Sequence, residues 1–218
     1  MLEVKNLTKR YGRLKAVDGV SFVLPDGAVT VLLGPNGAGK STVLKSIVGF
    51  LKYDGQIRVD GHANKSLEAK RLLGYIPELP SFYPNLTVEE HLEFVARAYR
   101  LKDYREYAAE LLDRMDMMDK KKKFGDELSK GMQQKLSICC GLLTRPRIIL
   151  VDKPMIGLDP KAIKELKTIF REKREAGCSL LVSTHLLDSV DTLWDQTVIM
   201  QGGQVKACVR REDLDRQG

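Results

Sequence analysis

The sequence predicts an α/β fold in which a strand-and-helix core is interrupted by a helical insertion. Three observations carry that expectation. A glycine-rich segment, 34–41, sits between an apolar strand and an amphipathic helix. Residues from about 85 to 140 read as helices with no convincing strand. Beyond them, short apolar runs alternate with helical stretches again.

Taken in order, the N-terminal part is rich in strands. Apolar runs lie on both sides of a Pro25-Asp26-Gly27 turn signal, the second being AVTVLLG over 28–34. A helix should follow Gly39, with Val43, Leu44, Ile47 and Val48 on one face. Asp54-Gly55 turns into a strand over 56–60. Thr87 with Glu90 has the capping-box spacing and opens a helix over 88–99; another runs over 104–115. The last third predicts strands at 147–152, 179–183 and 197–200 and helices at 161–176 and 186–194. Gly202-Gly203 should join the last strands as a hairpin.

At 218 residues the chain is long enough for one sizeable core. With 43% hydrophobic and 30% charged residues it is an ordinary globular sequence rather than a disordered one. Its longest apolar runs are too short to cross a bilayer. Met1 to Val4 reads straight into a strand, so no secretory segment is expected. Cys139, Cys140, Cys178 and Cys208 lack metal-type or redox-type spacing, which predicts free thiols in a reducing cytosol. A net charge of +7 permits an acidic partner without selecting one. The run Lys120 to Lys123 has no interleaved aromatic residues. It reads as a solvated loop, and no specific nucleic acid is expected.

The segment GPNGAGKS over 34–41 matches G-x-x-x-x-G-K-[ST] in its confirming strand–helix context. Gly34, Gly37 and Gly39 let successive backbone N–H groups face one anion, and the helix N-terminus adds partial positive charge. Lys40 reaches the outer phosphates and the Ser41 hydroxyl can join a Mg²⁺ shell.

Further stretches follow in order: TKRYGRLKAV over 8–17, GYIPELPSFYPNLTV over 74–88, LSKGMQQK over 128–135, IILVDKPMIGLDP over 148–160 and STH over 183–185. Together with 34–41 they resemble the ATP-binding-cassette (ABC) ATPases, the nucleotide-binding subunits of ABC transporters, over residues 2–209. The resemblance implies the P-loop NTPase form of the α/β fold, with an N-terminal antiparallel β subdomain. It implies a single domain over 1–218: 1–78 and 141–218 as core plus β subdomain, 79–140 as helical subdomain. It implies ATP and Mg²⁺ as cofactors. Tyr11 would stack on adenine. Gly34, Pro35, Asn36, Gly37, Ala38, Gly39, Lys40, Ser41 and Thr42 would hold the phosphates. Ser41, Asp152 and Glu78 would serve the metal, a hard, oxygen-seeking ion. Glu78 stands where the family usually has Gln. His185 would contact the γ-phosphate, and Asp159 would link the two sites of a dimer. Ser129 and Gly131 belong to the family signature, which covers ATP held by the other subunit. Ser129 would also cap a helix whose Met132, Leu136, Cys139 and Leu143 face the core. The S-K-G-M form is similar to a subgroup of bacterial drug-, lantibiotic- or sodium-export ATPases.

Lys153 departs from the pattern. The family normally has Glu there, orienting and polarising the attacking water. A protonated lysine cannot accept that proton, and losing a general base typically costs about 10²–10⁴-fold in rate. Repulsion from Mg²⁺ is large as well: two like unit charges ~4 Å apart repel by about 4 kcal/mol at an effective dielectric of ~20. The side chain should therefore turn away from the metal or toward γ-phosphate. ATP binding is expected to survive while hydrolysis is impaired.

The resemblance implies a subunit on the cytoplasmic face of a membrane. It would dimerise head-to-tail with a second cassette and drive a permease on another chain through the segment near Tyr83 and Leu86, in the export direction. Two other readings stay open: a non-catalytic regulatory partner in a heterodimer, and a cassette protein acting on nucleic acid or ribosomes.

Overall fold

The computed structural model describes residues 1–185 and 194–215. Two sheets organise it. The first is antiparallel, in the order β2-β1-β4-β5, with β1 Leu2–Tyr11, β2 Leu14–Leu24, β4 Asp54–Val59 and β5 His62–Ala63. This is the expected N-terminal β layer. The second has the order β10-β9-β3-β8-β7-β6. Here β3 is Val29–Leu33, β6 Leu73–Ile76, β7 Ile148–Asp152, β8 Ser179–Thr184, β9 Gln196–Gln201 and β10 Gln204–Arg210. All its pairings are parallel except the β9–β10 hairpin, which turns at Gly202-Gly203 as expected.

The parallel sheet is buried on both faces, so its strands are near-continuous apolar runs. Alternation still sorts their side chains. Leu32, Leu150, Leu181 and Val198 pack with the antiparallel sheet and with α1, Lys40–Val48. Val31, Ile149, Val151, Leu180 and Val182 face the opposite way. They pack in the cluster that includes α5, Lys130–Leu143, and α6, Pro160–Glu175.

The middle of the chain supplies the expected helices: α3, Val88–Ala98, and α4, Arg105–Arg114. Thr87 and Glu90 form the capping box reciprocally: the Thr87 N–H donates to Glu90 Oε2 (2.7 Å) and the Glu90 N–H to Thr87 Oγ1 (3.3 Å). The lysine run 120–123 is a half-exposed connection, stitched by the Lys121 and Lys123 carbonyls to the first N–H groups of α3. Helix α5 packs on α3 and α4 and also on β6, where Gly74 and Gly141 permit close approach: a Cβ on Gly74 would lie 2.4 Å from the Gly141 carbonyl.

Several short elements were not anticipated, among them α2, β5 and β6. Helix α2, Leu67–Leu72, is capped by Ser66, and β6 follows it directly. Each is too short to establish a period, so β6 is defined by its pairing with β7. The helix expected over 186–194 lies outside the described residues except at Trp194, which is described and is not helical.

Candidate functional site

Strands β3, β8, β7 and β6 run parallel, so their carboxyl ends share one edge. That is where open α/β sheets place ligands. The register sets Leu33 opposite Thr184, Asp152 opposite Ser183 and Ile76 opposite Val151. Four segments therefore leave the sheet side by side: the glycine loop after β3, His185 after β8, Lys153 after β7, and Pro77-Glu78 after β6.

The loop leads into α1, whose N-cap, Gly39, contributes no side-chain cap. Gly37 (φ +80°) and Gly39 (φ +99°) adopt left-handed backbone there. The Lys40 ammonium is buried and donates to the carbonyls of Gly34 (2.6 Å) and Pro35 (2.9 Å). Burial lowers its pKa, and the nearby charge of Lys153 lowers it further, while Asp152 and Glu78 act the other way. Asp152 is buried, and its Oδ1 accepts from Ser41 Oγ (3.1 Å) and from the Ser183 hydroxyl. One carboxylate oxygen thus ties together the ends of β7 and β8 and the start of α1.

Lys153 turns sharply out of β7, with φ +45°. Its N–H is held by the Ser183 carbonyl (3.2 Å) and hydroxyl (3.3 Å). Its Nζ lies 2.9 Å from Glu78 Oε1. Lys153 and Glu78, two of the positions expected to depart from the resembled motifs, therefore pair with each other. Lys153 also lines a cavity of about 370 Å³ with Tyr11 and residues 36–42. Tyr11 is half exposed, and Lys9 Nζ sits 4.9 Å from its ring centroid.

The donor set can be tested for Mg²⁺. Ser41 and Asp152 bring two hard oxygen donors together, whereas the Glu78 carboxylate is engaged by an ammonium. Among the described residues no cluster of three or more His, Cys, Asp or Glu could hold a metal ion. The pair Ser41–Asp152 suits Mg²⁺ as that ion is usually bound, by one or two protein ligands with substrate phosphates completing the shell.

The remaining expected residues lie apart from this cavity. Ser129 caps α5, accepting from the Met132 N–H (3.3 Å). Leu136, Cys139 and Leu143 are buried below it, and Met132 packs partly buried against the same core. Gly131 approaches Gly157 closely: an added Cβ would be 2.7 Å from the Gly157 carbonyl. Asp159 caps α6 through the Ala162 N–H (2.8 Å) and pairs with Lys135 at 3.0 Å. The Ala162 bond and Lys135 hold its carboxyl below the usual range. The start of α5 and the 157–160 segment form a second cluster, and none of Ser129, Gly131 and Asp159 lines the cavity beside the glycine loop. His185 is exposed at the sheet edge. Ser183 and Lys135 lie inside quoted motifs, yet only strand order and helix packing show what they hold.

A second feature is an apolar groove of about 400 Å³ where β6 meets α3 and α5, with Phe50, Tyr75, Phe82, Tyr99 and Cys140 among its walls. Beside it Leu79 is 82% and Tyr83 57% exposed. Buried His91 shapes this loop: its Nε2 accepts from the Tyr83 N–H (3.0 Å), and its Nδ1–H donates to the Thr87 carbonyl (2.8 Å). Gln134 of α5 reaches the Pro77 carbonyl, so the helix behind the signature touches the segment carrying Glu78.

Comparison with known proteins agrees with this architecture. A profile described as ABC transporter matches residues 17–156. The chain is 37% identical to the ABC-type transporter ATP-binding protein EcsA of Bacillus subtilis, over all of this chain and 90% of that protein. It is 32% identical to the linearmycin resistance ATP-binding protein LnrL of the same organism, over 98% of this chain and 70% of that one. Among solved structures, the dimeric post-hydrolysis state of the ATP-binding cassette MJ0796, bound to ADP and Pi, superimposes with a TM-score of 0.84. It is 26% identical, over 96% of this chain and 98% of that one. The chain belongs to the ABC transporter family, among its ATP-binding subunits.

Proposed function

We propose that this chain binds ATP in the cavity beside the glycine loop, dimerises head-to-tail on it, and drives a separate membrane permease in the export direction while hydrolysing ATP poorly. The observation that carries this reading is the shared strand edge: the phosphate loop, Ser41 and Asp152 converge there, with Lys153 where a carboxylate would polarise water. Tyr11 would stack on the adenine, Lys40 would meet the outer phosphates, and Ser41 with Asp152 would hold Mg²⁺. In this reading residues 1–78 and 141–218 form the nucleotide core. Residues 79–140 form the arm that carries the signature. Ser129 and Gly131, away from the cavity of their own chain, would cover the nucleotide of a second cassette, as would be possible in a dimer like that of the solved relative. Asp159 and His185 would communicate between the sites.

The permease would seat at the apolar groove. Its aromatic wall and the exposed Leu79 and Tyr83 suit an apolar partner segment. No helix among the described residues is long and apolar enough to cross a membrane. Export follows the S-K-G-M resemblance and the resistance role named for one relative.

The test is ATP turnover of the purified chain against Lys153→Glu. The variant should turn over about 10²–10⁴ times faster, the range of a restored general base. Equal rates would overturn the role given to Lys153. The Lys153–Glu78 pair also favours a second reading, a non-catalytic partner in a heterodimer. In that case turnover appears only when a catalytic homologue is added.

A further inference from the structure

We propose that Lys153 is a phosphate-binding cation, parked on Glu78 until nucleotide arrives, and that this site takes a nucleoside triphosphate with little dependence on Mg²⁺. The inference rests on the ATP-binding reading above and assigns a role to the residue that the hydrolytic reading leaves without one. Three observations carry it.

The lysine is positioned for it. Its backbone is held in left-handed conformation by Ser183, and its side chain lines the same cavity as the loop residues 36–42 and Tyr11. The side chain is only 17% exposed, and its ammonium is within hydrogen-bond distance of a carboxylate, so it sits in the cavity wall rather than in solvent.

The pair is exchangeable. Glu78 Oε1 at 2.9 Å is one acceptor for a group with three donors, and a phosphate oxygen carrying more charge competes for them. Glu78 follows β6, which pairs with β7, and its own side chain is 28% exposed, so its carboxylate reaches water.

The charge count is the third observation. Lys40 and Lys153 both line one cavity, so two lysine side chains flank the same space. Two fixed cations supply much of the neutralisation that Mg²⁺ otherwise gives a triphosphate. Engaging Glu78 also removes one carboxylate from the metal side of the site.

The experiment measures ATP affinity by calorimetry with Mg²⁺ and with EDTA, for the unaltered chain and four variants whose folding is checked by thermal unfolding. The unaltered chain should bind in EDTA within about threefold of its affinity in Mg²⁺. Lys153→Met should lose about ten- to a hundredfold in EDTA, the range of one charge-assisted contact, and less in Mg²⁺. Lys153→Arg should keep the EDTA affinity. Glu78→Gln, which frees the ammonium, should tighten it. The double variant Glu78→Gln with Lys153→Met keeps the net charge. It should stay weak in EDTA if Lys153 binds phosphate, and should match the unaltered chain if Lys153 only neutralises Glu78, which would overturn the proposal. ATP binding that requires Mg²⁺ equally with and without Lys153 would also overturn it while leaving the ATP-binding reading intact. Absence of ATP binding in both conditions would overturn that reading itself.

Discussion

Replacing Gly39 by alanine, with Gly37→Ala as its control, separates two reasons for glycine in the loop before α1. Both residues have left-handed backbone, φ +99° and +80°. An L side chain there costs about 1–2 kcal/mol. At Gly37 that is the whole effect, because an added Cβ meets nothing within 4 Å. At Gly39 the Cβ would fall 2.6 Å from the Ala16 carbonyl oxygen and 3.2 Å from Val17 Cγ2. The obstacle is backbone of β2, which is pinned to β1 and, through the Asp18 N–H, to Gly203. Forcing such a contact adds the cost of an overpacked site, about 1–3 kcal/mol. Gly37→Ala should therefore destabilise by about 1–2 kcal/mol and Gly39→Ala by about 2–5 kcal/mol. Equilibrium urea unfolding without nucleotide measures both. Equal midpoints for the two variants would refute the claim that β2 is wedged against the loop. A Gly39→Ala protein of unaltered stability would refute the loop geometry itself.

Three further outcomes follow from the structure. Arg114 of α4 donates from Nε to Glu165 (2.5 Å) and from both terminal nitrogens to Glu172 (2.6 and 3.0 Å) on α6; Arg114→Met should cost about 1–3 kcal/mol in dilute buffer and clearly less near ~1 M salt, where the Debye length is about 3 Å. A salt-independent loss in urea unfolding would contradict an electrostatic joint. Asp159→Ala removes the α6 cap and should cost about 1 kcal/mol at neutral pH. Because the folded-state pKa of Asp159 is lowered from 3.8, its contribution is present above that value and is lost as pH falls through the lower native pKa, so unfolding curves of variant and parent should converge in acid. His91→Leu leaves the Tyr83 N–H without its acceptor, and exchange of that amide should speed up about tenfold or more; unchanged exchange would show that His91 does not hold the loop.

Much of the site was legible in the sequence because its signals are contiguous. The loop 34–41 carries glycine, lysine and serine at fixed offsets between a strand and a helix, and local backbone geometry alone dictates its chemistry. The Thr87–Glu90 box and the Gly202-Gly203 hairpin are local in the same sense, and both formed as expected. The short β6 was not legible, since four residues establish no period.

The sequence by itself determined the fold class, the glycine loop between strand and helix and the presence of a cation after Asp152, because each is written in neighbouring residues. Tertiary structure alone decided what that cation touches. Glu78 and Lys153 are 75 positions apart, and Ser41 and Asp152 are 111 apart. Each pair meets because the order β3-β8-β7-β6 brings their strand ends to one edge. The same order leaves Ser129 and Gly131 away from the loop whose motif they accompany in the chain. Strand order arises from how the two cores bury their apolar faces over the whole chain, and no window of residues contains that information.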